Sequence, residues 1–119
     1  MPMISRIAVP DTNHVTTKFE TIESVQSYLV AFIVSDFTAA DDMAGRVGQR
    51  VFAKRQSINA GHAKYAIDVS RPILEGFEKY LGTNFSLPKM DQAALADFAA
   101  GAMENWVNPQ ENSKLIKFI

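Results

Sequence analysis

The chain of 119 residues has no cysteine. Disulfide staples and thiolate metal sites within it are therefore excluded, although that absence does not fix the compartment. It has no basic excess either: twelve Lys and Arg stand against thirteen Asp and Glu, for a net charge of −1. Nothing is available to neutralise a phosphate backbone, so no nucleic-acid partner is expected. Long hydrophobic runs are missing as well. The longest strongly apolar stretch, residues 28–34, is far short of a bilayer span. The opening Met1-Pro2-Met3-Ile4-Ser5-Arg6 has neither the charged lead nor the apolar centre of a signal peptide. Histidine is scarce: His14 and His62 are the only two, 48 positions apart, and neither is followed by glutamate. A helical clamp of two histidines at i and i+4 is therefore excluded.

What is present is the material of one ordinary domain. Ile, Leu, Val and Phe make up 32 of the 119 residues, well above the level at which disorder becomes the default. Residues 15–19 are rich in β-branched side chains and read as a strand. Residues 28–37 are β formers with apolar side chains at odd and even positions, the pattern of a strand buried on both faces. Residues 38–49 turn polar, with Asp41-Asp42 and two glycines, and read as a loop or domain junction. Residues 50–55 form a short strand candidate. A helix is expected from about residue 60 to residue 81. Tyr65, Val69, Ile73, Phe77 and Leu81 recur every fourth position and give it one broad apolar face. Gly82 is its natural stop, and Pro72 predicts a kink or a break near Ser70. Residues 84–89 read as a turn. Residues 90–98 suit a strand, but their alanines suit a helix equally, and propensity leaves both open. Residues 99–101 are a small-residue loop.

Gly101-Ala102-Met103-Glu104-Asn105, followed by Trp106, resembles the exopeptidase motif of the aminopeptidase N family of zinc metallopeptidases. Five fixed residues match by chance in a chain of this length on the order of once in tens of thousands of sequences. The flanks agree: Leu87-Pro88-Lys89, Asp91, Leu95 and Asp97-Phe98 precede the motif as in animal members. Residues 60–68 and 73–80 resemble the helix leading to it, and residues 28–37 the strand entering the catalytic domain. The similarity spans about residues 1–106 and is strongest towards insect-type, membrane-anchored members. Two departures stand out. Ala96 occupies the place of a proline, and after Trp106 the family's next strand is replaced by Val107-Asn108-Pro109. A Val-Asn pair can be encoded across an intron's donor edge, so residues 107–119 are expected to be a non-family tail.

The resemblance implies an incomplete α+β fold. Residues 1–43 would be the end of an N-terminal β domain, and residues 44–106 the start of a thermolysin-like peptidase domain with its first strands and helix. It implies that Glu104 receives the α-ammonium of a peptide N-terminus, because a carboxylate is the natural partner of that small cation. Gly101 and Ala102 would pair with the substrate main chain like an added strand. Met103 would be a soft apolar wall, and Asn105 would hold the loop through its own backbone. In the full-length family zinc does the chemistry, held by a His-Glu-x-x-His helix and a further glutamate. This chain has no such helix, so no catalytic residue and no bound zinc are expected in it, and no hydrolysis by it alone. Asn84-Phe85-Ser86 is an acceptor pattern for N-glycosylation. The family setting implies the extracellular face of the plasma membrane. As an alternative role it implies a non-catalytic binding module, with bacterial pore-forming toxins as candidate partners. Apolar faces lacking their partner segments are expected to favour aggregation.

Overall fold

The computed structural model describes residues 3–21, 26–99 and 101–103. Glu104, Asn105 and the tail at 107–119 lie outside the described residues. The architecture contains both strands and helices, in two sheets. Strands β1 (Met3–Ala8) and β2 (Val15–Phe19) form an antiparallel hairpin, with an irregularity in register between Met3 and Ser5. Its turn is closed by the Val9 N–H on the His14 carbonyl and by the Thr12 hydroxyl on the Val9 carbonyl. Among the described residues neither strand packs on the second sheet or on a helix.

The second sheet has the order β3-β4-β5, built from Thr38–Asp42, Gly48–Ala53 and Lys89–Ala93. β3 and β4 are antiparallel, while β4 and β5 are parallel. A parallel pair needs a long crossover, supplied here by helices α1 (Arg55–Asn59) and α2 (Lys64–Leu81). β4 is the central strand and forms most of the core: Val51, Phe52 and Ala53 are buried, together with the preceding Val47. β3 and β5 read Thr-Ala-Ala-Asp-Asp and Lys-Met-Asp-Gln-Ala, poor strand formers by composition. The ladder to β4 outweighs their intrinsic preference. Residues 38–42, read from sequence as loop, are therefore strand, and the ambiguity over residues 90–98 resolves to a strand followed by a loop.

The reading of residues 28–37 as a strand buried on both faces is corrected. Ser27–Leu29 is a 3-10 turn, and residues 30–37 belong to neither sheet. Exposure still alternates residue by residue. Tyr28, Val30, Phe32 and Val34 lie open, Phe32 by 86%, while Leu29, Ala31, Ile33 and Phe37 are half-buried. That period of two is the mark of an extended chain. Strand composition records a preference for being paired; a ladder needs a neighbour, and no described residue supplies one.

α2 also departs from expectation. It runs unbroken through Pro72, and the interruption falls earlier, in the turn at 60–63. The face on the sheet carries Ala63, Ser70 and Leu74, all buried, with Arg71 and Glu78 beside them. The Ser70 hydroxyl donates to the Ala66 carbonyl and accepts from the Gln92 amide of β5. The stripe of Tyr65, Ile73, Phe77 and Leu81 points away from the sheet, with Phe77 57% exposed and only Val69 half-buried. Periodicity detected two apolar sides and could not say which one the sheet takes. Gly82 closes the helix in the left-handed conformation, as expected.

Candidate functional site

The parallel β4–β5 pair sets the position of the motif loop. In a β-crossover-β unit, functional loops leave the carboxyl ends of the parallel strands. β5 ends at Ala93, the Ala94 N–H still reaches the Phe52 carbonyl at 2.9 Å, and the chain then runs through Leu95 and Phe98 to Gly101. The Gly101 N–H donates to the Phe98 carbonyl at 2.9 Å, closing a turn immediately before the motif. Gly101 sits at φ +69°, and a Cβ built there would meet nothing within 4 Å. The need for glycine at this position is thus conformational within this chain. Gly101 and Ala102 are exposed and Met103 is half-buried. The turn therefore leaves the first two motif residues exposed, with the Gly101 N–H committed to Phe98. Glu104 and Asn105, expected to receive the amine and to shape the loop, lie outside the described residues.

Charged residues to which the sequence reading gave no structural role hold β5 in place, Lys89 and Asp91 having been noted only as flanks of the motif. Arg50 on β4 and Asp91 on β5 are register partners. The guanidinium meets the carboxylate with both Nε–Oδ1 and Nη2–Oδ2, at 2.9 and 3.1 Å. Lys89, two residues before Asp91 and on the same face, also donates to that carboxylate. Arg50 additionally lies 5.2 Å over the Phe52 ring. The Asp91 side chain is only 7% exposed, so these partners take the place of water around it. Burial pushes the Lys89 ammonium below its usual range, and the neighbouring Asp91 opposes that shift. The signal was the Lys-x-Asp spacing, which puts both side chains on one face only once the segment is known to be a strand.

Two further ties brace the crossover. Arg71 of α2 grips Asp42 of β3 through Nε and Nη2, at 3.0 and 2.7 Å to the same oxygen, and holds that carboxyl below its usual range. Gly45, at φ +75°, makes room for it: a Cβ there would stand 2.6 Å from the Arg71 guanidinium. Glu78 accepts the Phe85 N–H at 2.6 Å and an ion pair from Arg46, and the first of these chiefly lowers its pKa. Arg46 also donates to the Phe85 carbonyl at 2.9 Å. The α2–β5 loop is thereby pinned at Phe85. Its far end is held by the Gly48 N–H on the Pro88 carbonyl.

The two histidines lie apart in the described fold. His14 lies in the hairpin turn and His62 in the turn before α2, and both are exposed. Among the described residues no three His, Cys, Asp or Glu side chains converge as metal ligands. No helix among them is long and apolar enough to cross a membrane.

Comparison with known proteins agrees with the motif. The profile of the Peptidase family M1 domain matches residues 65–116. Aminopeptidase N of Homo sapiens is 45% identical over 108 residues, covering 88% of this chain and 11% of the relative. Aminopeptidase N of Bos taurus is 44% identical over the same length and shares. Endoplasmic reticulum aminopeptidase 1 of Rattus norvegicus is 38% identical over 107 residues, 89% of this chain and 11% of the relative. The chain thus spans about a tenth of the length of the curated relatives it matches. A distinctive five-residue motif, concordant flanks and this level of identity across most of its length make the chain a member of the aminopeptidase N family.

Proposed function

We propose that this chain carries the amine-recognition wall of an aminopeptidase, the part that selects a peptide by its free N-terminus. The observation that carries the reading is the Gly101 to Asn105 string of the sequence, whose described part, Gly101 to Met103, follows the carboxyl end of β5. Glu104 accepts hydrogen bonds from the substrate's α-ammonium. A blocked or internal residue offers no such cation and leaves the carboxylate unpaired, so it is rejected. Exposed Gly101 and Ala102 pair with the substrate main chain through the backbone groups left outside the Gly101–Phe98 turn, and Met103 lines the first side chain. The tie between Arg50, Asp91 and Lys89 keeps β5, and with it the loop, in register.

Residues 1–43 are assigned to the end of an N-terminal β domain, residues 44–106 to the start of a thermolysin-like peptidase domain and residues 107–119 to a tail, into which the Peptidase family M1 profile continues as far as residue 116. Zinc, the extracellular membrane face and peptide hydrolysis belong to the longer family members. In those, the metal supplies Lewis-acid and water-activating chemistry. Among the described residues no donor set fits that metal, and no catalytic step is assigned to them. The reading is tested by grafting residues 1–106 in place of the matching segment of bovine aminopeptidase N. The chimera should cleave alanyl anilides, and Glu104→Gln should raise its KM by tenfold or more. An unchanged KM contradicts the assignment.

A second reading, a non-catalytic binding module, draws support from the open apolar row of Tyr28, Val30, Phe32 and Val34. Capture of a pore-forming toxin, lost on Phe32→Ser, would favour it.

A further inference from the structure

Of six asparagines in the chain, only Asn84 stands in an Asn-X-Ser/Thr triplet. The triplet lies in the loop between α2 and β5, after the left-handed Gly82. Its middle residue is the anchored one. Phe85 is half-buried, its N–H is held by Glu78 at 2.6 Å, and its carbonyl is held by Arg46 at 2.9 Å. The two flanking side chains are the ones the modification chemistry uses, and both are exposed. Neither the Asn84 amide nor the Ser86 hydroxyl is drawn into a hydrogen bond with another described residue. The loop thus faces its structural residue inward and its acceptor pair outward.

We infer that Asn84 is an N-glycan acceptor in the folded chain. The co-reactant is a lipid-diphosphate-linked oligosaccharide. The Asn84 Nδ2 forms the bond to the anomeric carbon, the bond from that carbon to the diphosphate oxygen breaks, the lipid diphosphate leaves, and the transferase's carboxylate takes the amide proton. The Ser86 hydroxyl is the third-position group the transferase reads. A bulky, hydrated glycan here would follow the end of α2, whose last residues Tyr80 and Leu81 are exposed.

The test is an acceptor assay. Purified folded chain is incubated with a single-subunit eukaryotic oligosaccharyltransferase and its lipid-linked donor. A synthetic peptide of residues 80–90 serves as the positive control. One glycan should be added to the chain, removed by peptide N-glycosidase with conversion of residue 84 to aspartate. It should be absent in Asn84→Gln and Ser86→Ala and retained in Ser86→Thr. Far-UV circular dichroism checks that each variant is folded. Modification of the peptide but not of the folded chain, or transfer that persists in Asn84→Gln, overturns the proposal.

Discussion

Arg50 and Asp91 are register partners across the parallel β4–β5 pair and meet through two hydrogen bonds of 2.9 and 3.1 Å. This contact joins residues 41 positions apart and fixes the strand that delivers the motif loop. Removing one member of a buried pair leaves uncompensated charge, at a cost of about 3 kcal/mol. Asp91→Ala is therefore expected to lower the urea midpoint sharply. Breaking the exposed pair of Lys64 and Asp68 on α2 should cost under about 0.5 kcal/mol. Equilibrium urea unfolding followed by far-UV circular dichroism measures both.

Gln49 on β4 is fully buried, and neither its amide nitrogen nor its amide oxygen has a hydrogen-bond partner among the described residues. An unsatisfied buried polar group costs about 1–3 kcal/mol. Gln49→Met keeps the volume and removes the polar atoms, so a gain of about 1 kcal/mol is expected in the same unfolding assay.

The charged ties give stability a pH dependence with defined sign. Asp42 and Glu78 have folded pKa values below their ordinary values of 3.8 and 4.5. The stability they contribute is fully present above those ordinary values and is lost as pH falls through the folded ones. Asp42→Asn and Glu78→Gln should each flatten the acid limb of a pH–stability profile. Lys89 acts on the alkaline side. Its folded pKa lies below 10.5, so the unfolded chain binds more protons there and stability rises with pH up to about 10.5. Lys89→Met should remove that rise.

The outward stripe of α2 separates surface from core. Ile73→Glu and Phe77→Glu, both on exposed positions, should reduce self-association in analytical ultracentrifugation without loss of stability. Leu74→Ala, on the buried side of the same helix, should cost about 2–3 kcal/mol.

The parts of this chain that were legible in its sequence are those whose signal is local. Residues 15–19, rich in β-branched side chains, are a strand; of the candidate at 50–55, residues 50–53 fall in β4, while Lys54 caps α1 and Arg55 begins it. Gly82 ends α2 because its left-handed backbone disfavours a side chain. The five motif residues were recognisable as a string. What was not legible depends on partners distant in sequence. β3 and β5 have weak strand composition and exist because β4 lies between them. Residues 28–37 have strong strand composition and join no sheet. The α2 stripe at every fourth residue was visible, but the sheet takes the side with Ser70 and Leu74. Pro72 sits on the exposed side of α2, where its missing N–H does not break the helix.

The central claim is that Glu104 grips a peptide's leading nitrogen, and an NMR titration of the 15N-labelled chain tests it most directly. Alanyl-alanine amide, with a free α-ammonium, should shift the amides of Gly101, Ala102 and Met103. N-acetylalanyl-alanine amide should not, and Glu104→Gln should abolish the response. Equal shifts with both ligands, or shifts that survive Glu104→Gln, would contradict the claim.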